Sequence, residues 1–515
     1  MDADAILQIR DLLEALASNR GLLAQISNED RDRLMRAAGK VSSPGREARR
    51  QLSRAFRKQR QEELARRKSK DEKLLEQTGI RKLRSLAVFP TPSAAPKPFD
   101  PPLPPPAEVT DEDFGAKLDV PRNCYICKRD FDRLHHFYDS MCPDCATLNW
   151  RKRNHTADLT GRYALLTGGR VKIGYQAAIK LLRAGAHVIV TTRFPVDAAR
   201  RFSGEEDFEA WKDRLQLQGI DLRHTPSVEA LCQHLLNTLP RLDFIVSNAC
   251  QTVRRPPGFY SHLIDAENQL RESLPLNAQP LLASYEALRE QKQNLSDEGT
   301  ELVLPGEVQR TLAGIQQAAQ LSQVPLVDGD EDASNELFPE GRLDQDLQQV
   351  DLRNINSWRL PLADVPTVEL LEVHLVNAVA PFIFNARLKP LMMKVATRDK
   401  HIVNVSAMEG VFYRAYKTDK HPHTNMAKAA LNMMTRTSAQ DYVRDGIHMN
   451  SVDTGWITDE DPAELAQWKK EDLNFHPPLD IVDAAARILD PIFHGFLTGE
   501  HHWGKFLKDY QVANW

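Results

Sequence analysis

Apolar positions in the first ~80 residues recur at helical spacing: Ile6, Leu7, Ile9, Leu12, Leu13, Leu16, Leu22 and Leu23. That period predicts amphipathic helical turns. From Arg46 to Lys73 the apolar stripe thins to Leu52, Phe56 and Leu64, as in a long helix with one narrow face. Beyond Thr156 the pattern changes. Short apolar runs of strand length, such as Arg162–Thr167, Gly185–Thr191, Leu242–Val246 and His401–Val405, alternate with helical stretches. Strands alternating with helices predict an α/β domain with a parallel sheet. A Gln- and Leu-rich helical stretch and the acidic loop Asp328-Gly329-Asp330-Glu331-Asp332 interrupt that alternation at about 270–365.

The chain has 515 residues, which suggests about two to four domains. Four stretches follow from the pattern: a helical basic arm (1–85), a Pro-rich linker (86–120), a cysteine module (121–150) and the α/β domain (156–515). The linker reading rests on nine prolines between Pro90 and Pro106, which form a stiff, polyproline-like spacer or a ligand for a proline-binding module.

Net charge is −4, so the molecule as a whole is not built to coat nucleic acid. Basic charge is concentrated in the arm, where Arg46–Lys73 holds twelve Lys and Arg against five Asp and Glu. Such a helix is a solvated surface element, a contact for RNA or an acidic macromolecular partner, or a membrane-surface element. No apolar run approaches the ~20 residues that cross a bilayer, so no membrane span is expected. The start, Met1-Asp2-Ala3-Asp4, lacks the basic and apolar regions of a signal peptide.

Six cysteines fall into two Cys-x-x-Cys pairs plus Cys232 and Cys250. This is not a secreted disulfide framework, and a cytoplasmic protein is expected. Cys124 and Cys127 are separated from Cys142 and Cys145 by fourteen residues. Two such turns supply the tetrahedral thiolate set that Zn²⁺ prefers, with no open position for catalysis. A module of ~30 residues has too small a core to fold alone, so a structural zinc would supply its stability. His135 and His136 lie between the pairs as surface or supporting residues.

The strand ending at Thr167 runs into Gly168-Gly169-Arg170-Val171-Lys172-Ile173-Gly174 and then a helix. A glycine turn between strand and helix is where a dinucleotide pyrophosphate binds. The next strand ends at Thr192-Arg193 with no acidic residue. An acid there would bind the ribose hydroxyls of NAD; Arg193 favours the 2′-phosphate of NADP(H).

With these motifs in order, the chain resembles the short-chain dehydrogenase/reductases over about residues 156–515. Thr167-Gly168-x-x-x-Lys172-Ile173-Gly174 resembles their Thr-Gly-x-x-x-Gly-x-Gly turn, with Lys172 in place of the middle glycine, where it could add a charge contact to a phosphate. Asp221 resembles the adenine-side acid. Ser247-Asn248-Ala249-Cys250 resembles the Asn-Asn-Ala-Gly motif. Asn450-Ser451-Val452-Asp453-Thr454-Gly455 resembles the Asn-x-Val-x-Pro-Gly segment near the nicotinamide, with Thr454 replacing proline. The resemblance implies an α/β, doubly wound parallel-sheet Rossmann domain that acts on a small carbonyl or alcohol. It also implies a dimer or tetramer, although the extra modules would oppose the usual interfaces.

The resemblance assigns four catalytic positions. Ser406 polarises the carbonyl, Lys428 holds the nicotinamide ribose, and Asn377 anchors a water relay. The fourth, normally the proton-donating tyrosine, is Thr424. A threonine hydroxyl is a far weaker acid than a phenol of pKa ~10. Three outcomes stand open: Tyr413 or Tyr416 folds back, His421 or His423 serves, or the domain binds cofactor without turnover. The last would make it a cofactor-binding scaffold. Asn354–Trp358 and Arg254-Arg255 are placed to line the substrate mouth; an arginine pair there would suit an acidic substrate, but a surface turn is the favoured reading.

Overall fold

A computed structural model describes residues 3–93, 114–269, 274–294, 312–414, 417–458, 460–472 and 475–515. Most of the proline run therefore lies outside the described residues, as does Tyr416. The chain divides into a unit of residues 1–74 and a unit of residues 75–515.

The first unit holds α1 (Ala3–Ser18), α2 (Asn28–Ser42) and most of α3 (Arg46–Leu75). Ser27 caps α2 by accepting from the Asp30 amide at 3.1 Å. Glu63 braces α3 against Arg66 and Arg67, at 2.9 and 3.0 Å. The stripe residues Leu52, Phe56 and Leu64 are exposed, as are Ile6 and Leu12.

The arm's boundary moves. α4 (Gly79–Ser85) belongs to the second unit and packs on the cysteine module, where the amides of Gly79 and Ile80 donate to the carbonyls of His136 and Phe137. Residues 114–120 are strand rather than linker. β1 (Phe114–Asn123) and β2 (Asp130–His135) pair antiparallel, followed by α5 (Pro143–Arg153).

The module is built into the α/β domain rather than appended. Arg153 bonds Asp480 at 2.6 and 2.8 Å and Asp483 at 2.9 Å, and the Tyr138 hydroxyl donates to Asp483 at 2.5 Å, all buried. Lys152 pairs with Asp490 at 2.6 Å.

The domain alternates strand and helix as its pattern predicts: β3 (Tyr163–Thr167), α6 (Lys172–Arg183), β4 (His187–Thr192), α7 (Pro195–Ser203), β5 (Leu215–Gly219), α8 (Thr225–Thr238) and β6 (Phe244–Ser247). Then come α9 (Pro257–Asn268), α10 (Ala283–Asn294), the long helix α11 (Thr367–Met393), β7 (Lys400–Ser406), α12 (Pro422–Tyr442) and β8 (Ile447–Asp453). α13 (Ala463–Asp472), α14 (Ile481–Thr498), β9 (Phe506–Lys508) and β10 (Gln511–Ala513) complete the chain.

The eight strands lie in the order β10-β9-β8-β7-β6-β3-β4-β5, all parallel except β10. Strand order reverses between β3 and β6, so the ligand crevice opens at their C-terminal ends. Val188, Leu165, Ile245 and Ile402 form its core. α11 is long and apolar enough to span a membrane by length and composition, contrary to the sequence expectation, yet Ala380, Phe384, Leu388 and Leu391 pack into this core.

Part of the expected insertion is also core. Leu281, Leu282 and Tyr285 are buried in it, and a Cβ on Gly219 would stand 2.3 Å from the Tyr285 ring.

At the opposite ends of the strands, His401 of β7 is fully buried beside His448 and His501, with 2.9 Å between His401 Nε2 and His501 Nδ1. Burial, then repulsion from the neighbouring imidazoles, holds His401 well below its ordinary value of 6.5. The unfolded chain therefore binds a proton there before the folded one. That stability is present in full above about pH 6.5 and is lost as pH falls below it, at about 1.4 kcal/mol per pH unit for one proton. Asp399 pulls the other way on His501 and His448 but does not act on His401 itself. Thermal unfolding between pH 7 and 5 is expected to show a shallower pH dependence for His401→Gln than for the native chain. Parallel curves would contradict it.

Candidate functional site

The glycine turn is shaped by close approach. Gly168 has φ +70°, and a Cβ on Gly174 would stand 2.1 Å from the Gly168 carbonyl oxygen. Neither position admits a side chain. Asn248, after β6, braces the turn by donating from Nδ2 to the carbonyls of Thr167 and Gly168, both at 3.1 Å. Thr167 Oγ1 accepts from the Ala249 amide at 2.9 Å. Lys172, where glycine is usual, sits at φ +55°, a backbone strain of about 1–2 kcal/mol. Its helix α6 points its amide end at the cleft, with Ile173 and Gly174 lining the wall.

Arg193 lines the same cleft. Its guanidinium lies over the Tyr260 ring at 4.5 Å and donates to the Tyr260 hydroxyl at 2.6 Å. Among the described residues it makes no ion pair. Asp221 is buried and occupied. Arg223 grips it at 2.6 Å and Glu372 at 2.5 Å, and outweighs burial to hold the Asp221 carboxyl below the usual range.

Ser406, Thr424 and Lys428 converge on the cleft from two elements. Ser406 ends β7, in register with Asp453 at the end of β8. Thr424 and Lys428 lie one turn apart on α12. Ser406 Oγ and Thr424 Oγ1 are buried and have no hydrogen-bond partner among the described residues. Lys428 Nζ donates to the Val405 carbonyl at 2.9 Å, beside Ser406.

Asn377 is buried in a wide π turn, Leu375–Val379, within α11 and does not line the cleft. Its Nδ2 donates to the carbonyls of Gln251 and Val373, at 2.9 and 2.8 Å. Thr454 and Gly455, the latter at φ +80°, form the wall beyond Asp453.

Of the substitutes for the missing tyrosine, Tyr413, His421 and His423 do not line the cleft, and Tyr416 lies outside the described residues. Tyr413 is half exposed, its hydroxyl 3.9 Å from Met408 Sδ. His421 stacks on Trp358 at 3.8 Å and pairs through Nδ1 with the Trp358 carbonyl at 3.0 Å. His423 is buried 3.9 Å from Glu369. Burial, then His421 and His374, lower the His423 pKa to about 4, so the imidazole is uncharged near neutrality and makes no ion pair with Glu369.

Asn356, Trp358, Arg254 and Arg255 do line the cleft. The arginines are neutralised within the fold: Arg254 holds Asp330 at 2.5 and 2.7 Å, and Arg255 holds Asp351 at 2.6 Å. Asp330 of the acidic loop thus answers a buried arginine, while Asp328, Glu331 and Asp332 stay exposed.

The sequence pattern missed two groups. The loop around Asp344–Gln348 closes the glycine-turn end of the cleft, where Gln348 accepts from Arg170 at 3.1 Å and the Gln345 carbonyl accepts from the Phe89 amide at 2.9 Å. At the other end stand Tyr125, Asp453 and Lys508. Only Tyr125's place between two cysteines could have drawn notice. The whole cleft is about 1320 Å³, ample for a dinucleotide and a small substrate.

The four thiols of Cys124, Cys127, Cys142 and Cys145 have Sγ atoms all within 4.8 Å of one another. A tetrahedral ion with metal–sulfur bonds near ~2.3 Å needs sulfurs about 3.8 Å apart, so the set fits after small movements. His135 is not part of it: its Nδ1 accepts from the amides of Phe137 and Tyr138.

A parallel sheet reversing at β3/β6, with a braced glycine turn facing Ser406 and Lys428, defines a Rossmann-type domain with an oxidoreductase-like site. Residues 162–291 match the family model of the short chain dehydrogenases, and residues 351–476 that of the enoyl-(acyl carrier protein) reductases. The chain belongs to the short-chain dehydrogenase/reductase superfamily. It is 30% identical over 397 residues to an uncharacterized protein of Acanthamoeba polyphaga mimivirus, covering 75% of this chain and 74% of that one. It is 32% identical over 112 residues to retinol dehydrogenase 14 of Mus musculus, covering 19% of this chain and 34% of that enzyme's length. Among solved structures, the RhlG/NADP complex of Pseudomonas aeruginosa aligns at 17% identity and a TM-score of 0.40, over 68% of this chain and 95% of that one.

Proposed function

We propose that this protein is an NADP(H)-dependent oxidoreductase acting on a carbonyl or alcohol, with a structural zinc in the four-cysteine module. One observation carries the reading. Two buried hydroxyls with no partner among the described residues, Ser406 Oγ and Thr424 Oγ1, share a cleft with Lys428 and the braced glycine turn. Unpaired buried hydroxyls are costly unless a ligand completes them. A substrate oxygen placed between them would do so.

The nicotinamide would supply hydride to the carbonyl carbon. Gly168, Gly174 and the α6 amides would hold the pyrophosphate, and Arg193 the 2′-phosphate. Lys428 would turn from the Val405 carbonyl to the ribose. Asp221, already paired with Arg223, would shape the adenine wall without adding net negative charge. Ser406 would polarise the carbonyl, and Asn377 would hold the kink of α11 in place. Thr424 would pass a proton inward from cleft water rather than act as the acid.

Cofactor choice tests the reading. Arg193→Ala is expected to weaken NADPH binding about 10- to 100-fold, the range for a hydrogen-bonded charge pair, and to leave NADH nearly unchanged. Equal losses for both, measured by fluorescence titration, would contradict it. A second reading, a cofactor-binding scaffold without turnover, is supported by the neutral His423 and the outward Tyr413. Saturable NADPH binding with no carbonyl-dependent oxidation would favour it.

A further inference from the structure

The two cysteine turns of the metal module each reach the wall segment Thr454–Thr458 by a separate route. The first is direct. Tyr125 lies between Cys124 and Cys127, and its amide donates to the Ser140 carbonyl at 2.8 Å. Its hydroxyl oxygen accepts the Trp456 backbone N–H at 3.0 Å. A Cβ on Gly455 would stand 3.3 Å from that same oxygen.

The second route is a chain of polar contacts. Asn149 donates to the Cys145 carbonyl at 2.7 Å and accepts from Arg487 at 2.8 Å. Arg487 holds Asp509 at 3.0 Å, Asp509 holds Lys508 at 3.0 Å, and Lys508 holds Asp453 at 3.2 Å. Asp453 then accepts the Gly455 amide at 3.2 Å. Both routes end on Gly455 and Trp456, at the end of the cleft where Asp453 stands in register with Ser406.

We infer that the four-cysteine site is a positioning element for the reacting end of the cleft: through Tyr125, metal occupancy and nicotinamide binding are linked. The inference rests on the zinc and NADP(H) readings above. A metal that fixes the Cys124–Cys127 turn fixes the Tyr125 oxygen, and that oxygen fixes the Trp456 amide. Without the metal the turn is free and the Gly455–Trp456 backbone loses its outer support. By linkage, a cofactor that needs this wall must strengthen metal retention by the same factor. One hydrogen bond of ordinary net worth corresponds to about 3- to 10-fold.

The experiment uses full-length protein and Tyr125→Phe, which keeps the ring and removes only the acceptor. NADPH and adenosine 2′,5′-bisphosphate, which lacks the nicotinamide half, are titrated in parallel, and zinc affinity is measured by equilibrium competition with a chromophoric chelator, with and without NADPH. The variant is expected to keep its zinc, to bind NADPH about 3- to 10-fold more weakly, and to bind the bisphosphate within about twofold of the native chain. Saturating NADPH should tighten zinc affinity about 3- to 10-fold in the native protein and have a smaller effect in the variant, where only the route through Asn149 and Arg487 remains. Unchanged NADPH affinity in the variant, or an equal loss for both ligands, overturns the positioning role alone. NADPH that leaves zinc affinity unaltered in the native protein overturns the linkage, as does a native protein without zinc. A native protein that binds neither ligand overturns the cofactor reading itself.

Discussion

Cys142→Ser is expected to lower the melting temperature of the protein by about 6–10 °C and to abolish stoichiometric zinc. The magnitude follows from what the module holds in place. Arg153, Asp480 and Asp483 are buried together with the Tyr138 hydroxyl, and Asp480 also caps α14 by accepting from the amides of Val482 and Asp483. If the module loosens, Arg153 leaves two carboxylates behind in the interior. Breaking a buried pair by removing one partner costs about 3–5 kcal/mol. At about 2 °C per kcal/mol for a large domain, this gives the stated shift. Metal binding contributes further because the ~40-residue module has only a small core, made of Leu118, Phe131, Leu134, Phe137, Tyr138 and Met141. Differential scanning calorimetry with elemental analysis checks both halves. An unchanged melting temperature together with retained zinc would contradict the account.

Thr424→Tyr is expected to raise the rate of NADPH-dependent carbonyl reduction about 100-fold or more. General acid catalysis by a positioned side chain is worth about 10²–10⁴ in rate. Thr424 holds the position but not the acidity. Its hydroxyl is buried and has no partner among the described residues, one turn from Lys428 and across from Ser406. A phenol at 424 would extend into the open cleft, and the Lys428 ammonium nearby would favour its ionised form. Thr424→Phe separates chemistry from shape, since it fills the same space without a proton. Single-turnover oxidation of bound NADPH by a panel of aldehydes and ketones gives the readout. No gain in the tyrosine variant, or an equal gain in the phenylalanine variant, would sink the idea.

What could be read from sequence is what local sterics and periodicity fix. Gly168 and Gly174 were legible because only a residue without Cβ fits against Ala249 and the Gly168 carbonyl. Ser406 and Lys428 were legible through the family resemblance, on a strand end and a helical face whose periods are fixed. Lys172 was read as a departure from glycine, and the backbone keeps the glycine-like angle nonetheless.

What was not legible depends on contacts between distant segments. Tyr125 and Trp456 are 331 positions apart, and no pattern joins them. Arg254 and Arg255 looked available to a substrate until the acids of the insertion, Asp330 and Asp351, met them. Tyr285 looked like part of an excursion, yet its ring fills the space that Gly219 leaves in the sheet. His423 looked like a candidate acid by its ordinary pKa, and burial removed that role.

The most direct test is titration of the native full-length protein with NADPH, followed by addition of carbonyl compounds while NADPH absorbance is recorded. The account predicts saturable binding at least about tenfold tighter than for NADH, and slow carbonyl-dependent oxidation. No binding of either nucleotide would contradict it.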